Sequence, residues 1–277
     1  MQHYEIPPAF FEKCLGKHLK YSSCYYATGH ETLDEAEAAM LALTSERAQL
    51  ANGLDILELG CGWGSLTLWM AEHYPMSRIT AVSNSAPQRR FIEARAAERG
   101  LNNLRVVTAD ANQFRPEGEY DRIVSVEMFE HMRNWEELLG RAHGWLREGG
   151  KMFLHVFSHK SYCYPFETEG DDNWMGRSFF TGGMMPSHDL LEHLDLPFEL
   201  EERWEVNGRH YAQTSEHWLE NLVAHRAELI PVLAETYGAE NAKQWFHRWR
   251  MFFLACAELF AYQGGEAWQV THHRLKK

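Results

Sequence analysis

Three glycines at alternate positions, Gly60-Cys61-Gly62-Trp63-Gly64, follow an apolar run and precede a helical stretch. Leu54-Asp55-Ile56-Leu57-Glu58-Leu59 has the length and composition of a buried strand, and Leu66 to His73 reads as a helix. A strand that passes into a helix through glycines can turn sharply and bring its main chain close to a ligand. The spacing excludes two familiar loops. A dinucleotide loop sets its third glycine one residue later, and a phosphate loop needs Gly-Lys-Ser or Gly-Lys-Thr. Alone, the segment is also compatible with an ordinary strand-helix turn.

The rest of the amino-terminal half supplies the context. Thr32 is placed to cap an alanine-rich helix through Gln49. Strands are predicted at Arg78 to Val82, Leu104 to Thr108, Tyr120 to Val126 and Lys151 to Phe157. Helices are predicted at Pro87 to Arg99, ended by Gly100, and at Trp135 to Leu146, stopped by Gly149-Gly150. This alternation specifies an α/β, doubly wound, mostly parallel Rossmann-like sheet. Such sheets bind ligands beyond the carboxyl ends of their strands. The loops there are Gly60 to Gly64, Ser83-Asn84-Ser85 with Gln88, Ala109-Asp110-Ala111, and Glu127-Met128-Phe129-Glu130-His131-Met132. After Ser158 the alternation weakens, helical segments dominate from Glu216 onward, and more than half of the aromatic residues occur. The expected organisation is a lid segment at 1–50, a ligand-binding core at 51–158, and the remainder of the sheet with a helical, aromatic-rich substrate cap at 159–277.

Charge and cysteine content narrow the function. The formal net charge is −12, and the densest basic runs are only Arg89-Arg90 and Arg274 to Lys277. Such a chain repels nucleic-acid phosphates and anionic lipid surfaces, so neither nucleic acid nor a stable membrane association is expected. Five widely spaced cysteines without a Cys-x-x-Cys pair suit free thiols in a reducing compartment, giving a cytoplasmic expectation. Met1 to Phe11 lacks the pattern of a signal peptide, and no apolar run is long enough to span a bilayer. His188, His193, His272 and His273 lack metal-ligand spacing, so no catalytic metal is expected. The oligomeric state stays open, a homodimer being one option.

The pattern from Glu58 through Gly60, Gly62 and Gly64 resembles motif I of class I S-adenosylmethionine-dependent methyltransferases. The resemblance implies that this loop holds the amino-acid part of S-adenosylmethionine and that Asp110 and Ala111 lie against its adenine. Most such enzymes grip the ribose with an acidic residue after the second strand; here Asn84, Ser85 and Gln88 stand instead. That departure, with Tyr21-Ser22 and Phe129-Glu130-His131, is similar to the cyclopropane fatty acid synthase group, and within it to coclaurine N-methyltransferase-like enzymes. Further matching stretches are Phe179 to Gly183, Val206-Asn207-Gly208, His210 to Glu216 and Ala257 to Phe260. The implied cofactor is S-adenosylmethionine, leaving as S-adenosylhomocysteine, with Tyr21 and Ser22 among its contacts.

Two chemistries compete within the group. In the cyclopropane enzymes an alkene is methylated and a bound bicarbonate assists proton loss; Glu130, His155 and Tyr211 match that site, with Ser23 where a cysteine is expected and Cys24 beside it. Those enzymes tend to have glycine where Glu127 stands. A carboxylate there suits a cationic or protonated amine, which favours a small-molecule amine as methyl acceptor. An ammonium has no lone pair, so a base must take its proton before transfer. His131 titrates in the useful range and is expected as general base, with Glu127 and Glu130 orienting it or pairing the ammonium. A Glu-His pair after a strand can equally cap a helix. Phe180, Trp249 and Phe252 match substrate-pocket positions, and Tyr25, His155 and Tyr211 join that set. Trp249 and Phe252 also fit a core stripe, being three residues apart on a helix. Arg248 replaces an aromatic residue; it either pairs with a carboxylate or phenolate on the ligand or is a solvated helix residue. A third reading, a non-catalytic S-adenosylmethionine-binding protein, would bind cofactor without turnover.

Overall fold

The computed structural model describes residues 6–167, 169, 176, 179 and 182–277. It divides into two compact units. One comprises Leu41–Phe166, Gly182–Val206 and Val270–Lys277; the other comprises Met1–Met40, Glu167–Thr181 and Asn207–Gln269.

The first unit is built on a sheet. Its strand β1 (Asp55–Leu59) is buried at every residue, as expected of a parallel strand covered on both faces. It pairs in parallel with β2 (Arg78–Ser83) on one side and β4 (Tyr120–Val126) on the other. Beyond them, β3 (Leu104–Thr108) extends β2 and β5 (Leu146–His159) extends β4, again in parallel. Two short strands, β6 (Tyr164–Pro165) and β7 (Met184–Met185), pair antiparallel as a separate ladder. Finally β8 (Glu199–Val206) pairs antiparallel with β9 (Trp268–Lys276), giving the order β3-β2-β1-β4-β5-β9-β8. Connection direction reverses between β1 and β4, the switch point at which doubly wound sheets open a ligand crevice.

Helices α3 (Ser65–His73), α4 (Ala86–Glu98) and α5 (Trp135–Trp145) connect these strands. One apolar cluster unites Leu57, Leu59, Phe129, Trp135, Leu138, Leu139 and Leu154; another holds Leu41, Ile56, Leu66, Val124 and Phe153. Alternation along β5 sends Leu154 to one cluster and Phe153 to the other, so the sheet separates two dry layers.

The second unit is helical: α1 (Pro8–Cys14), the amino-terminal half of α2 (Leu33–Arg47), α6 (Arg209–Ala224), α7 (Arg226–Tyr237) and α8 (Ala242–Gly265). Thr32 caps α2 as expected, and with Glu35 it forms a capping box: Thr32 N donates to Glu35 Oε2 at 2.9 Å, and Glu35 N donates to Thr32 Oγ1 at 3.3 Å. Trp249 is wholly buried and rings from Phe10, Phe11, Phe179, Phe252 and Phe253 surround it.

Three boundaries differ from the sequence expectation. Helix α2 ends at Arg47 because Gln49 adopts a left-handed φ of +53°. Gly149-Gly150 do not stop α5, which ends at Trp145; they lie inside β5, where the register against β4 shifts. The carboxy-terminal stretch is not uniformly helical either. Helix begins already at Arg209, and the chain closes with β9. Among the described residues, no helix is long and apolar enough to cross a membrane.

Candidate active site

The glycine loop is held from below and open above. Gly60 N and Cys61 N both donate to Val82 O at 3.0 Å, fastening the loop to the end of β2. All three glycines have positive φ. At Gly60 an added Cβ would lie 2.6 Å from Met128 Cβ, and at Gly64 2.6 Å from Ile92 Cγ1. At Gly62 it would meet nothing within 4 Å. Gly60 and Gly64 are therefore required by packing, while Gly62 offers bare backbone with room for a ligand. That open cradle fits S-adenosylmethionine.

Neighbouring strand ends carry the other cofactor candidates. Ser83, which the motif reading passed over, organises its loop: Ser83 Oγ donates to Gln88 Oε1 at 2.6 Å and accepts from Ser85 N at 3.0 Å. Ser85 in turn caps α4 by accepting from Gln88 N at 3.4 Å. Asn84 is exposed beside them. Asp110 is also exposed, accepts from Asn112 N at 2.8 Å, and precedes the half-buried Ala111. Glu58 differs from its expected place in the ligand shell. It is buried beneath the loop and accepts from Thr67 Oγ1 at 2.5 Å, so it braces β1 against α3. Burial lifts its carboxyl to about 7, against the opposing hydrogen bond.

The end of β4 holds the titratable groups. Glu127 has φ +46°, a left-handed conformation costing a residue with a side chain about 1–2 kcal/mol. Its N–H donates to His155 O at 2.8 Å, and its Oε1 lies 3.1 Å from His155 Nε2. His155 Nδ1 is 2.9 Å from His272 Nε2. His155 is wholly buried. It therefore stands behind Glu127 instead of lining a substrate surface as expected. Glu130 also departs from the expected pairing with His131. Glu130 Oε1 accepts from Phe157 N at 2.7 Å, and its buried Oε2 has no hydrogen-bond partner. Burial, reinforced by the Glu127 charge, drives the Glu130 carboxyl well above the usual range. His131 closes the 3-10 turn Phe129–His131; burial pushes its imidazole below its ordinary value, against the pull of Glu127. Burial thus favours the protonated form of Glu130 and the neutral imidazole of His131.

In the helical unit, the residues from Lys20 to Tyr26 are tied down internally. Ser22 Oγ and Ser23 O accept from the buried Lys20 Nζ at 2.5 and 2.6 Å. Cys24 N donates to Thr214 Oγ1 at 3.0 Å. Tyr25 stacks on His210, whose Nδ1 accepts from Tyr26 N at 3.0 Å. Tyr21 contacts Phe11 and Trp218, while Tyr211 stacks on Phe260. Arg248 is half-buried with its guanidinium 4.7 Å from the Trp245 ring centroid, so the structure gives it an aromatic partner of its own. Trp249 and Phe252 belong to the aromatic core, the plainer of the two sequence readings. Phe180 lies outside the described residues.

A parallel sheet of this order, with the open glycine cradle after β1 and polar loops after β2, β3 and β4, defines an S-adenosylmethionine-dependent methyltransferase. The chain belongs to the mycolic acid cyclopropane synthetase family, whose model matches residues 1–270. It is 38% identical over 280 residues to (S)-coclaurine N-methyltransferase of Thalictrum flavum subsp. glaucum, covering 100% of this chain and 78% of that protein. The crystal structure of a coclaurine N-methyltransferase bound to N-methylheliamine and SAH matches with a TM-score of 0.94 at 38% identity, over 99% of this chain and 80% of that one. Cyclopropane-fatty-acyl-phospholipid synthase of Escherichia coli (strain K12) is 29% identical over 276 residues, covering 99% of this chain and 67% of that protein.

Proposed function

We propose that this enzyme methylates the nitrogen of a small-molecule amine of coclaurine- or tetrahydroisoquinoline-like type. The observation that carries the reading is Glu127: a carboxylate kept in a left-handed backbone conformation at the end of β4, hydrogen-bonded to His155. A side chain maintained against backbone strain at a strand end marks a functional position.

When bound, S-adenosylmethionine supplies a sulfonium-activated methyl group. Gly60, Gly62 and Gly64 would hold its amino-acid part, Asn84, Ser85 and Gln88 its ribose, and Asp110 with Ala111 its adenine. Glu127 binds the acceptor as an ammonium by charge and hydrogen bonding. His131, neutral near physiological pH, takes the ammonium proton and exposes the nitrogen lone pair. Burial and the Glu127 charge favour the protonated form of Glu130, which limits the build-up of a second negative charge beside Glu127. Five cysteines, none of them in a disulfide, suit a reducing, cytoplasmic setting.

One observation favours a second reading. Glu130 Oε2 is buried with no hydrogen-bond partner, and the resemblance to the cyclopropane enzymes assigns Glu130 and His155 to a bicarbonate. His155 Nε2, however, faces Glu127, and the chain's charge opposes an anionic bilayer. The test is incubation with S-adenosylmethionine and a panel of cyclic and acyclic amines, beside phospholipid vesicles with and without bicarbonate. Amine-dependent S-adenosylhomocysteine release with a methyl mass gain supports the proposal; bicarbonate-dependent lipid turnover with silent amines overturns it.

A further inference from the structure

Behind Glu127 a chain of hydrogen bonds runs across the sheet to α2. Arg47 Nη1 lies 2.8 Å from His272 Nδ1, His272 Nε2 lies 2.9 Å from His155 Nδ1, and His155 Nε2 lies 3.1 Å from Glu127 Oε1. Both histidines are wholly buried, and the Glu127 side chain is 7% exposed. The Arg47 guanidinium rests over the Trp204 ring, and Phe153 meets the His272 ring edge-on.

The chemistry of its ends gives this chain a single polarity. Arginine can only donate. His272 Nδ1 must therefore accept, and its proton sits on Nε2. That N–H donates to His155 Nδ1, which leaves the His155 proton on Nε2, facing a carboxylate that can only accept. The same logic bars a second proton. Were His155 an imidazolium, its Nδ1–H would have to donate to His272 Nε2. His272 would then carry its own proton on Nδ1, opposite an Arg47 N–H, and two donors would face each other.

We propose that Arg47 and His272 are positioning residues that keep His155 neutral, so that Glu127 is oriented by a hydrogen bond yet retains its full negative charge for a cationic acceptor. Without them, His155 can take a proton and form an internal ion pair that spends the charge of Glu127. Glu130 and His131, from the turn that follows β4, also feel the charge of Glu127, and Arg274 donates to Arg47 O from β9. The consequence for substrate rests on the amine reading, whereas the protonation pattern does not.

The test is nitrogen-15 NMR of histidine-labelled protein, with His155 and His272 assigned through their glutamine variants. Wild type should show both rings neutral and protonated on Nε2 through the near-neutral range. Arg47→Met should convert His155 to imidazolium and raise the KM for the amine about tenfold with a smaller change in kcat. Arg47→Lys, which restores a cationic donor, should reverse both. His272→Phe keeps the ring volume without the nitrogens and should reproduce the KM defect. His272→Gln can accept from Arg47 and donate to His155, so it should recover most of the loss. An imidazolium or an Nδ1–H tautomer at His155 in wild type, or an unchanged spectrum in Arg47→Met, overturns the proposal. The predicted tautomers without turnover of any amine would leave this protonation pattern standing and sink the substrate reading instead.

Discussion

His155 Nε2 approaches Glu127 Oε1 to 3.1 Å, immediately after Val126 and His155 have paired as the last register of β4 and β5. The strand pairing fixes the imidazole, and the imidazole fixes a carboxylate whose own backbone is strained at φ +46°. Strain and function separate on substitution. Glu127→Gly relieves the left-handed penalty, and Glu127→Gln retains it. The glycine variant should therefore unfold at equal or higher stability than the glutamine variant, by about 1 kcal/mol. Both should lose tenfold or more in kcat/KM for the amine, of order 1.4 kcal/mol or greater. Wild-type amine turnover in either variant would contradict the role given to Glu127.

His131 should act as the base. Its imidazole titrates below the ordinary value, so it is neutral and competent at neutral pH and loses function only as acidity protonates it. His131→Ala should lower kcat/KM by about 10²–10⁴ near neutrality. The deficit should shrink as pH rises and more of the amine arrives already deprotonated. A pH profile running parallel to wild type would argue against proton transfer to this residue.

The glycines make a paired prediction. Gly62→Ala places a methyl in open space, so it should cost only the left-handed penalty, about 1–2 kcal/mol, yet weaken S-adenosylhomocysteine binding in a titration. Gly60→Ala drives a Cβ to 2.6 Å from Met128 and should lower the unfolding midpoint further. Undiminished cofactor affinity in Gly62→Ala would show that the cradle is elsewhere.

Glu58 predicts a pH dependence of stability. Burial pushes its carboxyl in the folded state up to about 7, from an ordinary value near 4.5. The fold thus favours the protonated form: this contribution is fully present below the unfolded value and is lost as pH rises through the folded one. Between pH 5.5 and 8 wild type should lose on the order of 2 kcal/mol from this group in urea unfolding. Glu58→Gln, neutral at every pH and able to accept from Thr67, should remove that slope; an unchanged slope would assign it to other groups.

Much of the ligand-binding edge was legible because glycines, turn residues and strand lengths are local signals. β1 to β4 and the loops after them fall within a residue or two of expectation. β9 was hidden because its buried positions are Gln269, Thr271, His272 and His273 as well as Val270 and Leu275, so no apolar alternation marks it. The partnership of Arg47, His272, His155 and Glu127 was hidden for the same reason: it joins residues far apart in sequence, and only the strand order brings them together. Glu130 and His131 are adjacent in sequence yet do not share a hydrogen bond through either Glu130 oxygen, since Phe157 N takes one and the other has no partner. Arg248 has a partner three residues earlier on its own helix, an i to i+3 relation that the sequence permits but does not select.

The central claim is that Glu127 holds an ammonium. It is tested most directly by equilibrium binding, in the presence of S-adenosylhomocysteine, of the best amine's N-methylated ammonium product and of its neutral carbon isostere. Wild type should prefer the cation by about tenfold or more, and Glu127→Gln should erase that preference while binding the isostere equally well. Equal affinity for the two ligands in wild type, or a charge preference that survives Glu127→Gln, would contradict the account.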